Sequence, residues 1–253
     1  HIYSYIYTYT CIFTRSRTKL PQHCFIPSVV CFCSKAMDEK AVDTRVCDLR
    51  AAKHRFESSQ KPMGRSVLYL EAMLASSSQM YKERTKGDKA GLTALAFLNF
   101  ITDEVVLQIA LMADAGDEHS ILLRHHDKED FDLATSNRMA ATFLERVHCM
   151  FNEGACWNTG YTAHALHLLS KPLTLFIDGV PKTIGGKHYP SKGVRDRCLM
   201  RMKNWVFLTK LTIDAEFPLC ELMSAFAVFD LDLLSTPRRV LVDGIEVGPE
   251  GPN

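Results

Sequence analysis

The sequence has almost no net charge. Its 30 Lys and Arg residues are balanced by 29 Asp and Glu residues, which leaves +1. A protein that coats nucleic acid along its whole surface carries a large positive excess, so we expect any contact with DNA to be confined to a local basic surface. The hydrophobic fraction of 47% and the charged fraction of 23% are ordinary for a globular protein and exclude a disordered or collagen-like chain.

Long hydrophobic runs are also missing. A charged residue or a histidine interrupts every apolar stretch before it reaches about 18 residues, so the sequence predicts no membrane span. Five of the nine cysteines lie in the first 47 residues without the paired spacing of a metal site. The other four lie in apolar stretches of the sequence, which indicates buried thiols in a reducing, intracellular compartment.

The familiar signatures of catalytic sites are absent as well. The sequence contains no G-x-x-x-x-G-K-[ST], G-x-G-x-x-G, G-x-S-x-G or H-E-x-x-H motif. The sequence therefore gives no support for a phosphate-loop protein, a dinucleotide-binding protein, a serine hydrolase or a zinc protease. We predict no cofactor.

The first 36 residues differ from the rest of the chain. Four of the eight tyrosines fall within residues 1–13, in a composition that resembles a translated TA/CA simple repeat. We therefore predict that residues 1–36 are an unstructured or mistranslated segment outside the fold, with Met37 as a candidate start. A spurious gene-model fragment without function is one hypothesis for the whole chain.

The body of the chain predicts a mainly α protein, an antiparallel helical bundle with one β-hairpin. Apolar residues recur at spacings of three and four, and Asp178-Gly179 separates two β-forming runs at about residues 173–184. We predict a lead-in segment at 37–63, a helical domain at 64–232 and a loose tail at 233–253 with a short strand at 240–242. The predicted helices cover residues 64–86, 88–100, 102–112, 136–154, 162–170, 194–217 and 219–231.

A cluster of acidic and histidine residues is the candidate metal site. Asp114, Asp117 and Glu118 are three and four residues apart, so a helix would place them on one face, although Asp117 or Ser120 could instead cap a short turn to residue 124. His126-Asp127 is the kind of doublet that helical metal-dependent phosphohydrolases use, with further ligands to come from histidines elsewhere. The alternative is a set of solvated charges at a helix end.

The strongest local basic surface lies on the last long helix. Phosphate contacts are predicted for Lys192, Arg195, Arg197, Arg201 and Lys203. The alternative is an ordinary solvated helix face, because Asp196, Asp214 and Glu216 dilute the positive field.

Three stretches together resemble the helical insertion domain of hAT-type transposases. The first is the Arg-aromatic-x-Ser pattern at 54–58 followed by Lys61-Pro62. The second runs from Gly87-Asp88 through the helices up to Asp114, and the third covers 215–218, 221–226 and 228–231. The resemblance spans roughly residues 50–232 and is closest to divergent hAT-derived proteins of protist type. It implies DNA as a partner, self-association and a nuclear location.

The resemblance also implies that the catalytic core is missing. In the family, three carboxylates of a ribonuclease-H-like core hold two divalent ions, and two of the three precede the insertion. No strand pattern surrounds Asp38, Asp43 or Asp48, and Glu216 and Glu221 do not match the third carboxylate. We therefore expect a transposase-derived helical domain that binds protein or DNA without cutting it. The alternative is the metal-dependent phosphohydrolase.

Overall fold

A computed structural model describes residues 60–84, 87–126, 133–186, 190–216, 225–229, 240–242 and 245–247. The segment 1–36 and most of the lead-in segment therefore lie outside the described residues. So do the acidic stretch 127–132 and most of the helix predicted at 219–231, of which residues 225–229 contain the short 3-10 helix Ala227–Phe229.

The described residues are mostly helical, as the sequence predicts. Two antiparallel hairpins accompany the helices, β1 with β2 and the small β3 with β4. In chain order the elements are α1 (Gln60–Leu68), α2 (Leu70–Glu83), α3 (Lys89–Phe100), α4 (Asp103–His126), α5 (Leu133–Phe151), α6 (Gly160–Leu169), β1 (Leu173–Ile177), β2 (Val180–Ile184), α7 (Lys192–Glu216), β3 (Val240–Val242) and β4 (Ile245–Val247).

Two predicted helix starts are confirmed by their caps. Asp88 precedes α3, and its carboxylate accepts a hydrogen bond from the amide of Gly91 at 3.3 Å. Thr102 precedes α4, and its hydroxyl accepts from the amide of Val105 at 3.3 Å. Each side chain satisfies an amide that has no partner within its own helix.

The central element is α4, which packs against α1, α5, α6 and α7. Val106 and Ala110 of α4 join a core that includes Leu98 and Leu169. Leu107, Leu111, Ala115 and Leu122 of the same helix join a second core with Phe143 and Phe151. Helix α7 lies beside α4 in the same direction, because Glu104 contacts Cys198 and Gln108 contacts Met202.

The prediction of a break near Asp117 is wrong. Helix α4 continues without interruption through Gly116 to His126, so neither Asp117 nor Ser120 caps a turn. A glycine inside a helix costs only about 1 kcal/mol. Burial of Leu111 and Leu122 on either side of it outweighs that cost.

Two other predicted boundaries are also corrected. The single helix predicted at 64–86 is two helices, because the backbone of Tyr69 departs from helical geometry. The break is limited to this one residue, since the amide of Tyr69 still donates to the carbonyl of Arg65 and the amide of Met73 donates to the carbonyl of Tyr69. Ser136 does not cap α5. The helix begins at Leu133, since no helix breaker precedes Ser136 there, and Ser136 lies buried in its first turns.

The predicted hairpin is confirmed and fastened to the helices by polar contacts. The ammonium group of Lys182 donates to the carbonyls of Leu98 and Asn99, at 2.6 and 2.8 Å, at the end of α3. The amide of Gly185 donates to the carboxylate of Asp103 at 2.6 Å. These contacts satisfy orphan carbonyls of one helix and hold the chain that leads into α7.

No single helix among the described residues is long and apolar enough to cross a membrane. Helices α3 and α4 pass the test of length and composition only as a pair that is bent by 91°.

Candidate functional site

An open cavity of about 310 Å³ lies at the start of α7. Its floor and walls come from two parts of the chain, the short 3-10 helix Ala155–Trp157 and the segment that enters α7. Ser191 precedes that helix, and its hydroxyl accepts a hydrogen bond from the amide of Val194 at 3.4 Å. The lining residues are Trp157, Pro190, Lys192, Arg195, Asp196 and Leu199.

This cavity, which we call the α7 groove, combines an aromatic ring with positive charge. Lys192 and Arg195 are exposed, whereas Trp157 is half-buried. Asp196 supplies the single negative charge of the lining, so the groove carries a net charge of +1. Such a combination suits a ligand that has both a planar ring and a phosphate.

The five predicted basic residues do not form one surface. Helix geometry places residues 195 and 197 about 200° apart around the axis, which directs them to opposite sides of α7. Lys192 and Arg195 line the groove, and Lys203 is half-buried two turns further along the helix. Arg197 and Arg201 instead face α4.

Arg197 and Arg201 share one carboxylate. An Nη atom of Arg197 lies 2.6 Å from one oxygen of Glu104, and an Nη atom of Arg201 lies 2.7 Å from the other. The hydrogen bond from Arg197, followed by that from Arg201, holds the pKa of Glu104 below its usual value against the opposing effect of burial. Both guanidinium groups therefore have a partner already.

Asp114 has a structural partner as well. Its side chain is buried and accepts hydrogen bonds from the amides of Tyr161 and Thr162, at 2.7 and 2.9 Å, and from the hydroxyl of Thr162. It therefore caps the start of α6 from a distant part of the chain. Burial nevertheless raises the pKa of Asp114, because removal from water disfavours the charged carboxylate more than its donors favour it.

The acidic face of α4 continues with two more carboxylates whose pKa values are raised. Burial is the largest cause for both Asp117 and Glu118. Glu118 accepts a hydrogen bond from Arg146 of α5 at 2.9 Å. The prediction that Asp114, Asp117 and Glu118 lie on one helix is confirmed, and the side chains of Asp114 and Glu118 make contacts between helices.

The predicted metal ligands do not converge within the described residues. His126 is the last residue of α4, and Asp127 lies outside the part of the chain that the structure describes. In the described ranges no group of three or more His, Cys, Asp or Glu side chains has the arrangement to hold a metal ion. Asp114 is hydrogen-bonded to the start of α6, and Glu118 is paired with Arg146.

Two residues of the site were missed by sequence reasoning. Trp157 follows a glycine and an alanine-cysteine pair without any motif, and Glu104 reads as an ordinary acidic residue in the first turn of a helix. No local signal could have found either one, because their roles depend on contacts with a helix that begins at residue 192.

Comparisons of the chain with protein-family models, curated proteins and solved structures give no match.

Proposed function

We propose that the helical body is a nucleic-acid-binding module, derived from the helical insertion of an hAT-type transposase, that acts in the nucleus without catalysis of its own. The observation that carries this proposal is the α7 groove, where Trp157 lies beside the exposed cations Lys192 and Arg195. The mainly α body and the order of the three resembling stretches agree with it.

The ligand that fits the α7 groove best is a strand of DNA with at least one unpaired base. In this proposal a base stacks on the half-buried indole of Trp157 in the lining, an interaction that contributes about 1–3 kcal/mol per base in single-strand binding proteins. Lys192 and Arg195 supply the cations for the adjacent phosphates. Asp196 in the same lining limits the positive charge, so binding should be weak unless stacking contributes.

The first test removes the two cations together. Lys192→Ala/Arg195→Ala should weaken binding of a fluorescent single-stranded oligonucleotide and reduce the slope of log affinity against log salt by about 1.4, or 0.7 for each lost phosphate contact. Fluorescence anisotropy over a range of salt concentrations measures both quantities, and circular dichroism checks the fold.

The matched control is Lys171→Ala/Lys210→Ala, which removes two exposed lysines that do not line the α7 groove. The control should retain the wild-type slope. Equal slopes for wild type and Lys192→Ala/Arg195→Ala would refute the proposal, as would an equal loss in the control.

Self-association is a second candidate function, and an apolar stripe on α7 favours it. Met200, Phe207 and Leu211 are 59%, 62% and 48% exposed and recur on one side of the helix. Lys203, Lys210, Asp196 and Asp214 lie along one edge of the stripe and their charges cancel, so this edge presents no net charge to a second copy of the chain.

Light scattering of the purified protein tests this candidate. A dimer that dissociates in Phe207→Glu is the expected result, because a carboxylate in the stripe cannot be buried without a partner. Phe176→Glu, at an exposed position of the hairpin, is the control and should leave the dimer intact. A monomeric wild type excludes the candidate.

A further inference from the structure

The contact between α4 and α7 has the chemistry of an occupied anion site. Two guanidinium groups hold one carboxylate, with separate Nη atoms at 2.6 and 2.7 Å from its two oxygens. A phosphate oxygen can take the place of a carboxylate oxygen in such an arrangement, because guanidinium groups bind both through the same charged hydrogen bonds. Two cations against one anion also leave a net charge of +1 at this position.

The site is accessible to a ligand. The side chains of Arg197, Arg201 and Glu104 are 57%, 36% and 28% exposed. Because the ion pairs are exposed to solvent, the carboxylate of Glu104 can be displaced by an incoming phosphate. The rise of α7 from residue 192 to residue 201 is about 14 Å, and Arg197 and Arg201 lie on the side of the helix opposite Arg195, so this contact takes a phosphate separately from the α7 groove.

We propose that Arg197 and Arg201 form a latent phosphate site, which the carboxylate of Glu104 occupies until a phosphate displaces it. Glu104 then acts as a tethered competitor that lowers the affinity of the protein for polyanions. The inference rests on the proposed function for the source of the phosphate, a DNA strand. Free inorganic phosphate carries the same chemistry, and the experiment separates the two sources.

The test removes the negative charge of Glu104 but keeps the length of its side chain. Glu104→Gln should bind single-stranded DNA about tenfold more tightly than wild type at moderate salt, with a slope steeper by about 1.4, because two further cations become available to phosphates. Glu83→Gln controls for the change in net charge, because it removes an exposed carboxylate that accepts a hydrogen bond from Gln79, away from α7. It should bind like wild type.

The gain in DNA affinity of Glu104→Gln should depend on Arg197 and Arg201. Glu104→Gln combined with Arg197→Ala/Arg201→Ala should return to the wild-type affinity and slope. Equal DNA binding by Glu104→Gln and wild type, combined with no stabilisation of Glu104→Gln by inorganic phosphate, would overturn the inference, and so would a gain in DNA affinity that persists without the arginines. Glu104→Ser serves as a second variant if Glu104→Gln does not fold, because serine is tolerated in the first turn of a helix.

Inorganic phosphate distinguishes the sources and separates failure of this inference from failure of the proposed function. A phosphate-dependent rise in the melting temperature of Glu104→Gln, absent in wild type, together with no gain in DNA affinity, would support the anion site but refute DNA as its ligand. If the Glu104→Gln gain appears while Lys192→Ala/Arg195→Ala binds normally, the latent site stands and the α7 groove proposal fails.

Discussion

At the scale of single residues, two carboxylates of α4 differ because of their partners. The pKa of Glu104 is lowered, since it lies near the surface with two arginines, whereas burial raises the pKa of Asp114. Glu104 therefore stabilises the fold above its unfolded pKa and loses this contribution as the pH falls through its folded value. Asp114 has the opposite effect, because its folded state holds a proton more readily than its unfolded state.

His119 gives a prediction with a defined pH window. Burial lowers its pKa to about 4 from 6.5, so between these values the unfolded state binds a proton that the folded state does not. The free energy of unfolding should therefore decrease as the pH falls from 6.5 to 4, by on the order of 3 kcal/mol. Urea denaturation of wild type and His119→Gln at a series of pH values measures this contribution as a difference.

The comparison with His119→Gln is needed because nearby carboxylates change the free energy of unfolding with pH in the opposite direction. The pKa values of Asp117 and Glu118 are raised, so protonation of these groups favours the fold in acid. The difference between wild type and His119→Gln should shrink as the pH falls. Asn204→Ala, which removes an exposed side chain of α7 that does not titrate, should preserve the wild-type profile. A constant difference across the window would contradict the assignment.

Local capping could be predicted from the sequence, but capping from a distance could not. Asp88 stands next to its own helix, so its role follows from the residue type and position. Asp114 caps α6 from 47 residues away, and nothing in the sequence around either partner indicates that they are paired. The acidic spacing on α4 therefore predicted the face correctly without predicting what it contacts.

At the scale of elements, α6 depends on one close approach. Gly160 has a φ of +72°, which strains any residue with a Cβ, and a Cβ built at this position collides with the carboxylate of Asp114. The glycine thus lets the start of α6 lie against its capping side chain. Neither the turn nor the contact is visible in the sequence pattern Asn-Thr-Gly-Tyr alone.

Gly160→Ala should destabilise the protein by about 3 kcal/mol, from backbone strain and from the collision together. Gly179→Ala is the matched control, because its φ is +81° but its Cβ would meet nothing within 4 Å. It should lose only about 1 kcal/mol. Chemical denaturation measures both values.

The collision can be isolated by a double-mutant cycle. Asp114→Ala removes the capping carboxylate, so Gly160→Ala should cost clearly less in that background than in wild type. Equal costs in the two backgrounds, or equal losses for Gly160→Ala and Gly179→Ala, would mean that the contact with Asp114 is not what requires a glycine.

At the scale of the whole molecule, the fold class follows from hydrophobic periodicity, while the site does not. The recurring apolar positions and the Asp-Gly turn predicted the helices and the first hairpin. Periodicity does not state which helices are neighbours. The parallel arrangement of α4 and α7 arises only from tertiary packing. This packing pairs Glu104 with Arg197 and Arg201. It thereby separates these two arginines from Lys192 and Arg195.

The most direct test of the α7 groove compares the salt dependence of single-stranded DNA binding in wild type and in Lys192→Ala/Arg195→Ala. We predict measurable binding by the wild type at low salt and a slope that is smaller by about 1.4 in the variant. Identical slopes in two folded proteins, or no binding by the wild type at low salt, would contradict the assignment of the α7 groove as a nucleic-acid interface.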